Sequence, residues 1–207
     1  ASATRDPGRR TTHQSPHGAS TGNTGEGSHR LSAAPERPGT VEAMQELPLT
    51  VIDIETDTDG VNGLDPRESR IVSAAVAYND FDPVVIDDTD ERTLIAKLDD
   101  AVRRRSGLLV TWNGAGFDLP FIATRAGLLG IDTELETTTD LSLPVKYAAP
   151  AGLGGPVRAR WGGTAHVDIS FLYKAEAESR SISWSLKPVA RSFGLNPVEV
   201  DRTKICL

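Results

Sequence analysis

Asp53 and Glu55 stand two residues apart inside VIDIET (51–56), a run otherwise rich in β-branched residues. Such residues favour a pleated strand, on which successive side chains point to opposite faces. Ile52 and Ile54 therefore share one face and can anchor a core, while Asp53 and Glu55 converge on the other. Two carboxylates held that close repel, and one is driven to take up a proton. A divalent cation removes the conflict, and hard cations such as Mg²⁺ and Mn²⁺ prefer carboxylate oxygen. From Asp-x-Glu alone a plainer reading stays open, two surface acids on a solvent-facing edge strand. A calcium loop beginning at Glu55 does not fit. Its twelfth position is Pro66 rather than a bidentate Glu, and its flank reads as strand rather than helix.

A second constellation lies in TWNGAGFDLPFI (111–122). It runs from a buried strand through a Gly-Ala-Gly turn into a helix, with Asp118 at the helix start and Asn113 and Phe117 beside it. Each has an ordinary explanation as well. Asp118 would serve as a helix cap, Asn113 as a turn residue and Phe117 as part of the core.

The elements that must position these residues follow from hydrophobic periodicity. Segments 49–55, 71–78 and 83–87 read as strands, with Gly-, Asn-, Asp- and Pro-containing connections that suit an antiparallel meander. Residues 90–105 space Leu94, Ile95, Leu98, Ala101 and Val102 as one helical face, acidic at the front and basic at the back. Arg103–Arg105 is either a phosphate patch or a cationic helix end. Residues 107–113 form a buried strand, and 117–130 a helix with Pro120 in its first turn and Gly130 past its end. Residues 131–165 are rich in Gly, Pro and Thr and read as a long loop. A short strand at 166–170 and a last helix at 184–195 complete a mixed five-stranded α/β sheet with helices on both faces.

Residues 1–46 are Gly, Ser, Thr, Pro and His with little that is apolar, a composition that cannot offset its own ordering entropy. They are expected to form a disordered tail, with the folded domain at 47–207. His13, His17 and His29 leave a metal-binding tract conceivable, though their loose, irregular spacing suits a solvated tail or linker better. The tail carries five Arg and five acidic residues, so the net charge of −7 belongs to the domain. That balance argues against a protein coating nucleic acid through a basic surface. The lone cysteine, Cys206, permits no intrachain disulfide. With no membrane-length apolar run and no secretory leader, a soluble, cytoplasmic protein is expected.

DIET followed some sixty residues later by NGAGFDLPFI resembles the first two motifs of the DEDD 3′–5′ exonucleases of the ribonuclease H-like superfamily, in particular the exonuclease domains of family B polymerases. HVDIS and SLKPVARSFGL resemble the later strand and helix, so the likeness covers 49 to about 200. It implies a ribonuclease H-like fold and Mg²⁺ or Mn²⁺ at a two-metal site held by Asp53, Glu55 and Asp118. It also implies that Thr56, Asn113 and Phe117 position the last nucleotide of a single-stranded DNA or RNA 3′ end, releasing a nucleoside 5′-monophosphate. The family's fourth acid, an Asp on a final helix with a Tyr or His, has no counterpart here. Asp132 and Asp140 fall in the expected loop, Asp168 in a position that suits a structural role, and Asp201 beyond the last helix. The chain thus reads as cut short before that helix, which would leave it weakly active or inactive. His166 reads as a hydrogen-bonded core residue, and Lys187 as a weak phosphate candidate. A non-catalytic ribonuclease H-like module binding nucleic acid or protein is the alternative, and a proofreading domain of a larger polymerase a third.

Overall fold

A computed structural model describes residues 47–79, 81–145, 150 and 152–198. The expected tail, Asp201 and Cys206 lie outside the described residues. The chain runs β1 (Leu49–Thr56), β2 (Ile71–Tyr78), β3 (Val84–Asp87), α1 (Glu91–Arg103), β4 (Leu108–Thr111) and α2 (Asp118–Leu129). It continues with β5 (Leu135–Thr139), β6 (Val157–Trp161), β7 (Thr164–Asp168), α3 (Ser170–Ser179) and α4 (Leu186–Ser192).

One sheet takes the order β3-β2-β1-β4-β7-β6-β5. The expected meander is present, β2 pairing antiparallel with both β1 and β3. Strands β1, β4 and β7 run parallel, and β6 and β5 extend the far side antiparallel. The sheet is mixed and flanked by helices, but it has seven strands where five were expected. The extra pair, β5 and β6, comes from the segment read as loop. Along β6 Val157, Ala159 and Trp161 are buried while Arg158 and Arg160 face outward, an alternation obscured by the Gly- and Pro-rich stretch before it. Helix α3 was also unread.

The core forms between one sheet face and α1 and α2. Ile52 and Ile54 join Leu94, Ile95, Leu98, Leu119 and Ile122 in one cluster, each side chain contributing about 1.5–3 kcal/mol by burial. Helix α1 starts on Asp90, whose carboxylate accepts from the Thr93 amide at 2.9 Å. The arginine run at its end is structural. Arg103 pairs with Asp99 at 2.9 Å and Glu134 at 2.8 Å, Arg104 pairs with Asp100, and Arg105 lies 4.7 Å over the Tyr78 ring. Trp161, fully buried, donates to Asp99 at 2.7 Å and ties β6 to α1. Arg125 of α2 forms a forked ion pair with Glu91 of α1. The same Glu91 accepts from the Ile71 amide at 2.8 Å, so one buried carboxylate fixes both helices against β2.

Candidate active site

The β1–β4 ladder ends at Val51 and Val110. Past that point β1 continues through Asp53, while β4 gives way to the turn leading into α2. Beyond the last pair, Asp118 meets the free edge of β1. The Asp118 Oδ1 atom accepts from the Ile54 amide at 3.2 Å. Asp118 is the first residue of α2, and the N-cap is Phe117, which makes no side-chain cap bond. The capping explanation therefore does not hold: this carboxylate reaches across to β1.

The turn that delivers it depends on three unusual residues. Asn113 has φ 65°, and its carbonyl accepts from the Gly116 and Phe117 amides, both at 3.0 Å. Gly114 presses on Thr111, where an added Cβ would lie 2.4 Å from Oγ1 and 2.5 Å from Cβ. Asp168, at the end of β7, accepts from the amides of Asn113 (2.9 Å) and Ala115 (3.0 Å). It also accepts from the Ser170 amide (3.0 Å) and hydroxyl (2.6 Å). That carboxylate is a brace that locks the turn to the β7–α3 junction.

Burial, with the negative charge of Asp53 next and that of Asp168 a further contribution, pushes the Asp118 carboxyl up to about 8. A buried acid between two other acids is an environment that a cation would relieve. Burial likewise pushes His166 down to about 4, and its Nε2 lies 2.7 Å from Thr111 Oγ1. His166 is thus a neutral, hydrogen-bonded side chain beneath the turn.

The remaining site residues divide. Asp53 and Glu55 are exposed on one face of β1, with Ile52 and Ile54 buried on the other. Asp53 lies near enough to Asp118 for its negative charge to disfavour ionisation of that carboxyl. Among the described residues no three His, Cys, Asp or Glu side chains stand close enough to hold a metal ion as they are. The Thr56 hydroxyl donates to the Gly63 carbonyl at 2.6 Å and fastens the loop after β1. Phe117 is half-buried against Phe121, ring centroids 5.4 Å apart. Asp140 is occupied by Ser142 and Arg158. Not singled out in the sequence were Trp112, beside Asn113, and Tyr173 of α3, whose rings stack at 5.9 Å. The signal for Trp112 was its place inside the second motif; Tyr173 had none, because its helix lacks a strong apolar period.

A central β1 flanked by an antiparallel β2 and a parallel β4, with acids at the strand end, defines a ribonuclease H-like α/β domain. Residues 50–204 match the ribonuclease H superfamily, and the chain belongs to it. Among solved structures it is similar to the family B DNA polymerase from the hyperthermophilic archaeon Pyrobaculum calidifontis, at 26% identity and a TM-score of 0.56. The match covers 77% of this chain and 20% of the polymerase. Among the described residues no helix is long and apolar enough to cross a membrane.

Proposed function

We propose that this domain is a metal-dependent 3′–5′ exonuclease of the DEDD type acting on single-stranded nucleic-acid ends. The observation that carries the reading is the Asp118 carboxylate, buried beside Asp53 and bonded to the amide that follows it in β1. Membership of the superfamily and likeness to a polymerase support a nuclease-type activity. Asp53, Glu55 and Asp118 would hold Mg²⁺ or Mn²⁺. The donor set fits, since carboxylate oxygens suit hard cations and a cation would favour the ionised form of the buried Asp118. When bound, the metal supplies water activation and stabilisation of the leaving oxygen.

The chain's own residues supply position. Asn113, whose turn is fixed by Asp168, and the half-buried ring of Phe117 would position the terminal nucleotide, the ring by packing on its sugar or base. Thr56 holds the loop beside them. Among the described residues the three acids do not form a closed cluster. That open arrangement is also what favours the second reading, a ribonuclease H-like module that binds nucleic acid or a partner without turnover.

A 5′-labelled single-stranded oligonucleotide separates the two. The enzyme should give a Mn²⁺-dependent ladder of shortened products, blocked by EDTA and absent in Asp53→Asn. Calorimetry should show Mn²⁺ uptake that this variant loses. No turnover and no uptake would leave the binding module as the surviving account.

A further inference from the structure

Val51 and Val110 are register partners in β1 and β4. Alternation carries that face to Asp53 and Glu55 along β1, and Trp112 is the residue that leaves the end of β4 two positions after Val110. The acids and the indole therefore stand at the ends of neighbouring strands. From Trp112 the rings continue outward. Tyr173 of α3 stacks on it, and Phe193, just past α4, meets Tyr173 edge-on at 5.4 Å. The Arg180 guanidinium lies 4.9 Å over Phe193, held there by Glu176 at 2.6 Å and the Ser192 carbonyl at 2.9 Å. On the same helix pair Lys174 sits 5.1 Å over Trp184.

This row is not core. Phe193 is 50% exposed. Its charge also departs from the rest of the chain: residues 170–198 carry four Lys and Arg against two Glu, in a protein of net charge −7. An exposed ring, continued inward by half-buried ones and beside a locally cationic segment, is what a sequence-tolerant single-strand surface uses, rings for bases and cations for phosphates. A protein-docking face would need the apolar surface but not the local reversal of charge.

We infer that Trp112, Tyr173, Phe193 and Arg180 form a track for the nucleotides on the 5′ side of the strand end held at Asp53 and Asp118. The inference rests on the nuclease reading for the polarity of the strand, and on ring and charge placement for the surface itself.

The test is fluorescence anisotropy of labelled oligothymidylates, a trinucleotide and a dodecamer, on the full chain in EDTA. The wild type should bind the dodecamer more tightly than the trinucleotide. Phe193→Leu keeps apolar bulk but no ring, and Arg180→Ala removes the cation. Each should weaken dodecamer binding about tenfold and shrink the length dependence, with thermal melts confirming that the variants fold. Equal affinity of the wild type for both lengths, or wild-type dodecamer binding by Phe193→Leu, overturns the track. A protein that binds with the expected length dependence yet never cleaves in Mn²⁺ would support the surface and remove the nuclease reading. Cleavage with no effect of Phe193→Leu on binding would do the reverse.

Discussion

The carboxylate of Asp118 and the backbone amide of Ile54 are joined across 3.2 Å, linking the first residue of α2 to the middle of β1. The bond fixes the acid against the residue next to Asp53, sixty-four positions away in sequence. It also satisfies a strand amide beyond the last β1–β4 pair, so one side chain serves the fold and the site together.

That double role predicts how substitutions separate. Asp118→Asn keeps an oxygen acceptor for Ile54 and resembles the protonated acid that the folded chain favours at pH 7, so the protein should fold there at least as stably as the wild type. Its hydrolysis should fall roughly 100-fold or more, as expected for a lost metal ligand. Asp118→Leu strands the amide and should cost about 1–3 kcal/mol in urea melts. A fully active Asp118→Asn would remove Asp118 from the chemistry.

Two shifted groups make opposite contributions to stability as pH changes. His166 falls from an ordinary 6.5 to about 4. Between those values the unfolded chain holds a proton that the folded chain lacks, so stability rises with pH. Asp118 rises from 3.8 to about 8, so across that window the folded chain holds the extra proton and stability falls as pH rises. Each limb approaches ~1.4 kcal/mol per pH unit. In EDTA the two should largely cancel from pH 4 to 6.5, leaving the Asp118 decline alone up to about pH 8. Urea denaturation across this range should show that decline in the wild type and in His166→Gln but not in Asp118→Asn. Parallel curves for wild type and Asp118→Asn above pH 6.5 would refute the assignment.

Metal should reverse the Asp118 decline. A cation held by the acids favours the ionised form, so Mn²⁺ should raise the melting temperature of the wild type most above neutral pH. Linkage gives about 2.7 kcal/mol at a hundredfold excess over the dissociation constant. Asp53→Asn and Asp118→Asn should lose most of that gain, and equal gains in all three proteins would point to binding elsewhere.

The sequence carried the strand that presents the acids and the helix that presents Asp118, because period-two and period-3.6 patterns are strong where one face is buried. Ile52 and Ile54 behave as their alternation requires. It did not carry β5 and β6, since Thr137, Thr138 and Thr139 of β5 are all exposed and the strand has no apolar face to announce it. Nor did it reveal that Asp118 reaches across to β1 rather than capping α2, which depends on where β4 departs. Asp168 reads from sequence as an acid suited to a structural role, but its four hydrogen bonds are a tertiary fact.

Gly114 makes the turn sensitive to a single methyl. Thr111 beneath it is buried and 1% exposed, with its hydroxyl at His166, and has nowhere to move. Gly114→Ala should therefore cost about 1–3 kcal/mol by overpacking. It should also shift Asn113 and Phe117, raising KM for short oligonucleotides more than Asp53→Asn does. A melt indistinguishable from wild type would show that the turn yields without cost.

Asp168→Asn tests the brace separately from the metal. The amide side chain keeps one oxygen acceptor but turns an NH₂ toward donors that a carboxylate had satisfied. Leaving those buried amides partly unpaired should cost about 1–3 kcal/mol each where no water replaces them. Hydrogen exchange at the Ala115 amide should accelerate well beyond any global loss of stability, because its acceptor, Asp168 Oδ2, is the atom most exposed to the swap. If Asp168 positions Asn113 and the proposed ligands are Asp53, Glu55 and Asp118, Mn²⁺ uptake by calorimetry should persist while turnover drops. Loss of Mn²⁺ binding in a folded Asp168→Asn protein would instead make Asp168 a ligand, with the turn held by its remaining backbone bonds.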